Sequence, residues 1–164
     1  MAIDVYLQIE GIKGESQDDK HKEWIEVTGV HWSIHQPRSA TASTGGGHTA
    51  ERVAMSDISF SKLADLSSPV LAQTCAAGKT IPRARFEFFR ADSDGTRVKY
   101  FEIELANVLI GMIKPHLGGD ESYLCETVNL KYSKVNWAYT QQRISGGLGG
   151  STVGGWDLAT NKIA

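Results

Sequence analysis

Three stretches of this chain alternate apolar and polar residues as half-buried strands do, and each changes phase once part-way along. In the first, Ile25 and Val27 share one parity, whereas Val30, Trp32 and Ile34 share the other. The second runs over about 98–113, with Phe101, Ile103 and Leu105 before the slip and Val108, Ile110 and Met112 after it. The third covers 123–139, with Val128, Leu130 and Tyr132 before and Val135, Trp137 and Tyr139 after. Strand side chains repeat every two residues, so a slip of one position sends the apolar set to the other face. A β-bulge makes such a slip, and Thr28-Gly29 supplies its usual glycine in the first stretch. Long strands that bend and swap faces close the corners of small barrels and sandwiches. The expected fold is therefore mainly β, a small β-barrel of two packed antiparallel sheets.

The remaining segments fit around that core. Ile3, Val5, Leu7 and Ile9 alternate with mostly polar residues as a first strand, and Phe86 and Phe88 mark another. The mixed-charge run Asp18 to Glu23, within a polar stretch from Gly14 to Lys22, reads as a solvated loop. One short side α-helix is expected over about 68–77. Ser68 is placed to cap it, Pro69 to open it and Gly78 to stop it. Val70, Leu71, Thr74 and Cys75 form its inner stripe. Residues 36–51 hold almost nothing to bury and read as a long extended loop, a length usually reserved for function. The glycine-rich segment 146–155 reads as a flexible connector to a terminal piece. That piece carries Trp156 and Leu158 and should pack back or pair at a sheet edge.

At 164 residues and a net charge of −2, the chain suits a single domain over 1–164 and lacks the basic surface that nucleic acid demands. No apolar run reaches membrane-spanning length, so membrane insertion is not expected. The start Met1-Ala2-Ile3-Asp4 lacks the charge pattern of a cleavable signal peptide. Cys75 and Cys125 read as buried free thiols rather than a disulfide framework.

Catalytic motifs were sought without result. Gly78-Lys79-Thr80 has Gln73 where a phosphate loop needs glycine, and its helix precedes the lysine instead of following it. The glycine runs open no helix after a strand, and no Gly-x-Ser-x-Gly elbow is present. Glu102 and Glu104 read as the solvated side of an amphipathic strand. His31 and His35, on one face of a strand with Ser33 between them, find no Cys or carboxylate cluster to complete a metal site. No catalytic residue, cofactor or metal is expected, and the chain reads as a structural assembly protein and not an enzyme.

One family matches these residues in order and spacing. The chain carries Asp4-Val5-Tyr6-Leu7-Gln8-Ile9, Gly14-Glu15-Ser16, His21 and Trp32-Ser33. It continues with Phe60-Ser61-Lys62, then Ser67-Ser68-Pro69 leading to Cys75 and Gly78-Lys79, and ends with Gly155-Trp156. In this it resembles the haemolysin-coregulated proteins (Hcp), inner-tube subunits of bacterial type VI secretion systems. Leu66 departs from the lysine common in relatives. The resemblance implies homo-hexameric rings that stack into a tube, with effector proteins carried or chaperoned in the channel. It further implies contacts with contractile sheath, spike and baseplate proteins. Synthesis would be cytoplasmic, with secretion through the type VI system and no cleavable signal peptide. No toxin domain is expected after Ala164. His31, Ser33 and His35 are candidates for the channel and cargo face. Arg38, Ser43, Gly45, Gly46, Gly47 and His48 are candidates for a ring-stacking loop. The competing readings are a stand-alone β-sandwich binding module, for example for carbohydrate, and a small hydrolase with no recognisable motif.

Overall fold

Each phase switch is a corner at which one strand exchanges one hydrogen-bonding neighbour for another. The computed structural model describes residues 4–37, 51–120 and 122–164. The strands are β1 (Asp4–Ile9), β2 (Ile25–Val27), β3 (Gly29–His31), β4 (Ile34–His35), β5 (Ala54–Met55) and β6 (Ile58–Leu63). The helix α1 (Ser67–Ala77) follows, then β7 (Thr80–Ala91), β8 (Arg97–His116), β9 (Cys125–Lys131), β10 (Lys134–Gln142), β11 (Leu148–Asp157) and β12 (Lys162–Ile163).

Among the described residues, ten strands form one antiparallel sheet, and β4 and β5 pair only with each other. One path of pairing runs β12-β11-β10-β8-β7-β1-β2. At Thr28 the chain leaves β1 for β6: the Thr28 backbone N–H and hydroxyl both donate to the Ser61 carbonyl, at 2.8 and 3.1 Å. Beyond it β3 pairs β6, β6 pairs β9 and β9 pairs β8, so the ladder returns to a strand already on the first path. The sheet curls around its own core and leaves few backbone groups without partners.

The second and third switches form a single corner. Up to Ala106, β8 pairs β10 on one side, and from Leu109 it pairs β9. Asn107 takes the left-handed conformation between them, with φ of 52°. Its side-chain amide donates to the Ser133 hydroxyl at 2.9 Å, and the Ser133 backbone N–H donates to the Ala106 carbonyl at 3.1 Å. Ser133 itself lies between β9 and β10, so the third pattern is two strands and not one.

The core follows the alternation. Leu7, Ile25, Ile58, Phe60, Phe86, Ile103, Leu105, Val108, Val128, Leu130 and Val135 are fully enclosed. Three expected strand core positions are exposed, Tyr139 on β10 among them. Met112 is exposed because a register shift at Gly111 turns Ile113 inward instead, opposite Val128. Ile34 sits on the small β4–β5 ribbon, away from the main core, and is half exposed.

The helix packs against β8 and buries Leu71, whereas Val70 stays exposed and Thr74 and Cys75 are half-buried. Ser68 does not cap it: the N-cap position is Leu66, with no side-chain cap of its own, and Asp65 just before it holds the Ser67 N–H. The Asp65 carboxylate accepts from the Ser67 backbone N–H at 2.9 Å, and the Ser68 hydroxyl accepts from the Asp65 N–H at 2.9 Å. Gly78 ends the helix with φ of 63°, donating to the Cys75 carbonyl. The glycine-rich segment is no flexible connector: 148–157 is strand β11, paired with β10, and Trp156 packs against the core. The terminal piece pairs back as expected, Ile163 opposite Trp156. Neither cysteine is in a disulfide, and both are half-buried rather than buried.

Left-handed backbone costs an L-residue about 1–2 kcal/mol, with β-branched side chains worst placed. Asn107→Val should therefore lower stability in urea by about 2–3 kcal/mol, the lost hydrogen bond included. Asn107→Gly should lose only about 1 kcal/mol. Equal losses in the two variants would show that backbone conformation does not govern this corner.

Candidate assembly surfaces

Part of the polar stretch that follows β1 is folded down onto the sheet, Ser16 and His21 buried among exposed neighbours. His21 is only 3% exposed. Its ring stacks on Tyr6 with centroids 4.4 Å apart and meets Phe89 and Trp24 edge-on. Nδ1 lies 2.6 Å from the Asp18 carboxylate and Nε2 lies 2.8 Å from that of Glu87. Carboxylates accept, so the arrangement suits a ring that donates from both nitrogens. Arg97 joins the cluster, donating to Asp4 at 2.7 Å, to the Tyr6 hydroxyl at 2.9 Å and to Asp18. Lys99 bridges Glu102 and Glu87 at 2.5 and 3.4 Å. Asp19, Lys20, Lys22 and Glu23 are exposed as expected of a solvated loop, whereas His21 and Asp18 are drawn into a polar clamp, and Glu102 is part of it rather than a free surface carboxylate.

A second buried network joins the helix to the opposite part of the sheet. Lys62 is 1% exposed and Glu126 is 3% exposed. The Lys62 ammonium lies 2.8 Å from Glu126 and 2.8 Å from Asp65, and it donates to the Ser68 hydroxyl at 3.1 Å. Ser68 in turn donates to Glu126 at 2.7 Å. A buried ammonium is tolerable only when its donors are satisfied in this way. Both networks are closed upon their own partners, which suits a structural role better than a reactive one.

The sequence-predicted surface residues fall elsewhere. His31 on β3, Ser33 after it and His35 on β4 are all exposed. The Ser33 backbone N–H donates to the Ser56 hydroxyl at 2.8 Å, and its carbonyl accepts from the Ser56 N–H, so the segment leading to β4 is pinned. Arg38, Ser43, Gly45, Gly46, Gly47 and His48 lie outside the described residues. The long excursion that holds them starts from the β4–β5 ribbon, where Gln36 donates to the Glu51 carbonyl at 2.5 Å. Among the described residues, no group of three or more His, Cys, Asp or Glu side chains is placed to hold a metal ion.

Apolar side chains also remain in water, and several of them gather in two groups. One group lies on the β10–β12 extension and includes Tyr139, Leu148, Val153 and Ile163. The other gathers where β6 ends and β9 begins, and includes Leu63, Leu66, Tyr123 and Leu124. Sequence alternation did not separate these from core positions, because it reports a face and not whether that face is covered.

A family model described as type VI secretion system effector, Hcp, matches residues 6–139. The chain belongs to the Hcp family of type VI secretion proteins. It is 35% identical to protein Hcp1 of Pseudomonas aeruginosa over 165 residues, covering all of both chains. A solved type six secretion system protein superposes with a TM-score of 0.91 at 29% identity, over 99% of this chain and 100% of the other. Hcp1 of Salmonella typhimurium gives 0.79 at 32% identity, with full coverage of both chains. The Hcp-like motif residues have physical roles in this chain. Tyr6 and His21 build the clamp, and Lys62 and Ser68 hold the helix.

Breaking a buried ion pair from one side typically costs about 3–5 kcal/mol. Lys62→Met should show a loss of that order by chemical denaturation, and adding Glu126→Leu should restore at least half of it. A double variant no more stable than the single would assign the loss to packing. The clamp makes an acid-side prediction. The hydrogen bond from His21, and then the Arg97 charge, hold the Asp18 carboxyl below its usual range. Its contribution is present above the unfolded-state value of about 3.9 and is lost as pH falls through the depressed folded value. Thermal stability should fall between about pH 5 and pH 2. Asp18→Asn should start less stable at neutral pH and lose less over that window.

Proposed function

We propose that this Hcp chain is a structural, non-catalytic subunit of the type VI secretion inner tube, acting as a single domain. Six copies close into a ring, rings stack into a tube, and effector proteins travel in the channel. The observation that carries this reading is the exposed apolar surface on β10–β12, above all Val153 and Ile163 beside the sheet edge. Open edges and apolar patches are liabilities in a lone domain and resources in an assembly. The carbohydrate-binding alternative draws no support from the tryptophans. Trp32, Trp137 and Trp156 pack against the core, and Trp24 lies against His21 and Arg85.

In this reading His31, Ser33 and His35 face the channel and its cargo. The excursion carrying Arg38, Ser43, Gly45, Gly46, Gly47 and His48 reaches the neighbouring ring. Sheath, spike and baseplate proteins are the outer partners. The subunit is made in the cytoplasm and leaves through the tube.

Native mass spectrometry should show a hexamer, and a monomer at micromolar concentration would overturn the ring. His31→Asp should alter effector retention while leaving rings intact. Deleting Ser43 to His48 should spare rings and weaken tube assembly. Tubes of unchanged length from the deletion variant would remove the loop from the stacking contact.

A further inference from the structure

The two outward sheet faces of this chain differ in chemistry. Outside β1, β7 and β8 stand Arg85, Glu87, Lys99, Glu102 and Glu104, with ion pairs from Arg85 to Glu87 and from Lys99 to Glu87 and Glu102. Mixed charge of this kind is usual on a sheet that faces bulk water. The face outside β3, β6, β9 and β8 is different. There the row Val30–Phe60–Val128–Ile113 points into the core. Alternation therefore turns the flanking rows outward: His31–Ser59–Asn129–Met112 and Gly29–Ser61–Thr127–Lys114. In these rows the two middle strands, β6 and β9, contribute only hydroxyls and one amide. Gly29 and His31 are exposed, and Ser61, Thr127 and Asn129 are half-buried.

Charge stands at the margins of this face, and in both signs. Lys114 and His116 lie on β8, and Lys131 pairs with Asp57 at 3.6 Å at one end. Glu15 and Glu26 line a hollow beside Leu63 at the other end. The middle of the face is too polar to hold two subunits together by apolar burial. It also carries no fixed charge that would draw one class of protein and repel another. Hydroxyl and amide groups exchange water for a protein partner with little net gain or loss. Contact of that kind is weak, reversible and open to many partners, which suits a wall along which cargo passes.

We propose that this face, centred on Ser61 and Thr127, is the part of the channel wall that effector proteins touch, and that it admits them irrespective of their net charge. The inference rests on the ring and channel reading, and it extends the cargo surface from His31 across β6 and β9.

The test begins with wild-type protein by native mass spectrometry. A wild-type monomer would defeat the ring reading, and this inference with it. Given wild-type rings, Thr127→Cys in a Cys75→Ser, Cys125→Ser background locates the face. N-ethylmaleimide should modify every subunit of the ring. After biotin-maleimide, streptavidin should bind fewer copies than there are biotins, because the channel crowds them. Cysteines closed to N-ethylmaleimide, or a streptavidin on every biotin, would overturn the assignment of this face and leave the ring standing. Ser61→Cys repeats the measurement should the first variant fail to fold. Charge then tests admission. Thr127→Asp and Thr127→Lys should both form rings and be exported at the wild-type level. Mass spectrometry of the culture medium, with a secretion-defective strain as blank, should show acidic effectors falling by about threefold or more in the Asp variant and basic effectors in the Lys variant. Unchanged effector export in both variants, or the same loss of all effectors from both, would overturn the proposal.

Discussion

The strands of this protein are longer than the layer they belong to, and their backbone groups must still be paired at every position. Exchanging neighbours at a corner meets that demand. Thr28 hands its strand from β1 to β6 through two hydrogen bonds to one carbonyl. Asn107 and Ser133 hand β8 from β10 to β9 while bonded to each other. From these corners follow the closed circuit of pairing, the single enclosed core and the extension of β10–β12 beyond it. That extension leaves one face of β11 uncovered, and the assembly surfaces are a consequence of it.

Two polar networks fix what the corners leave loose. The clamp around His21 holds the 14–24 stretch over the outer face of β1 and β7, a face that alternation alone would leave to water. The Lys62 network ties the start of α1 to β9 through Glu126 and Asp65. Neither network is a stability bonus by its mere presence, since desolvating charges offsets much of their attraction. Their effect is to admit one arrangement of loop and helix, because any other would leave a buried charge unpaired. This separates the interior, where charges are paired, from the surfaces that carry exposed apolar area.

Most of the fold was legible in sequence. The switch at Thr28-Gly29, the barrel with one side helix, the Gly78 stop and the returning terminal strand could be read from period and turn chemistry. The misreadings have common causes. Met112 was misplaced because a register shift at Gly111 moves the next inward position to Ile113. The glycines of 148–157 suggested a connector because propensity says nothing about a partner strand waiting to pair. Ser68 was read as a cap by its position, yet Asp65 holds the Ser67 N–H and Ser68 is committed to Lys62 and Glu126. The candidate site was less legible than the fold, since exposure of Leu66 or Tyr123 depends on what the rest of the chain fails to cover.

Sequence by itself determined the period of the strands and the places where they turn, because both are local: alternation is set by the pleat, and a corner by one or two residues. It also carried the family, through motif residues in a fixed order. Only the tertiary structure decided which polar residues are buried. Lys62 and Glu126 are 64 positions apart and His21 and Glu87 are 66 apart, so nothing local announces either pair. A charge enters the interior only when its partner arrives with it, and that meeting is a property of the folded chain.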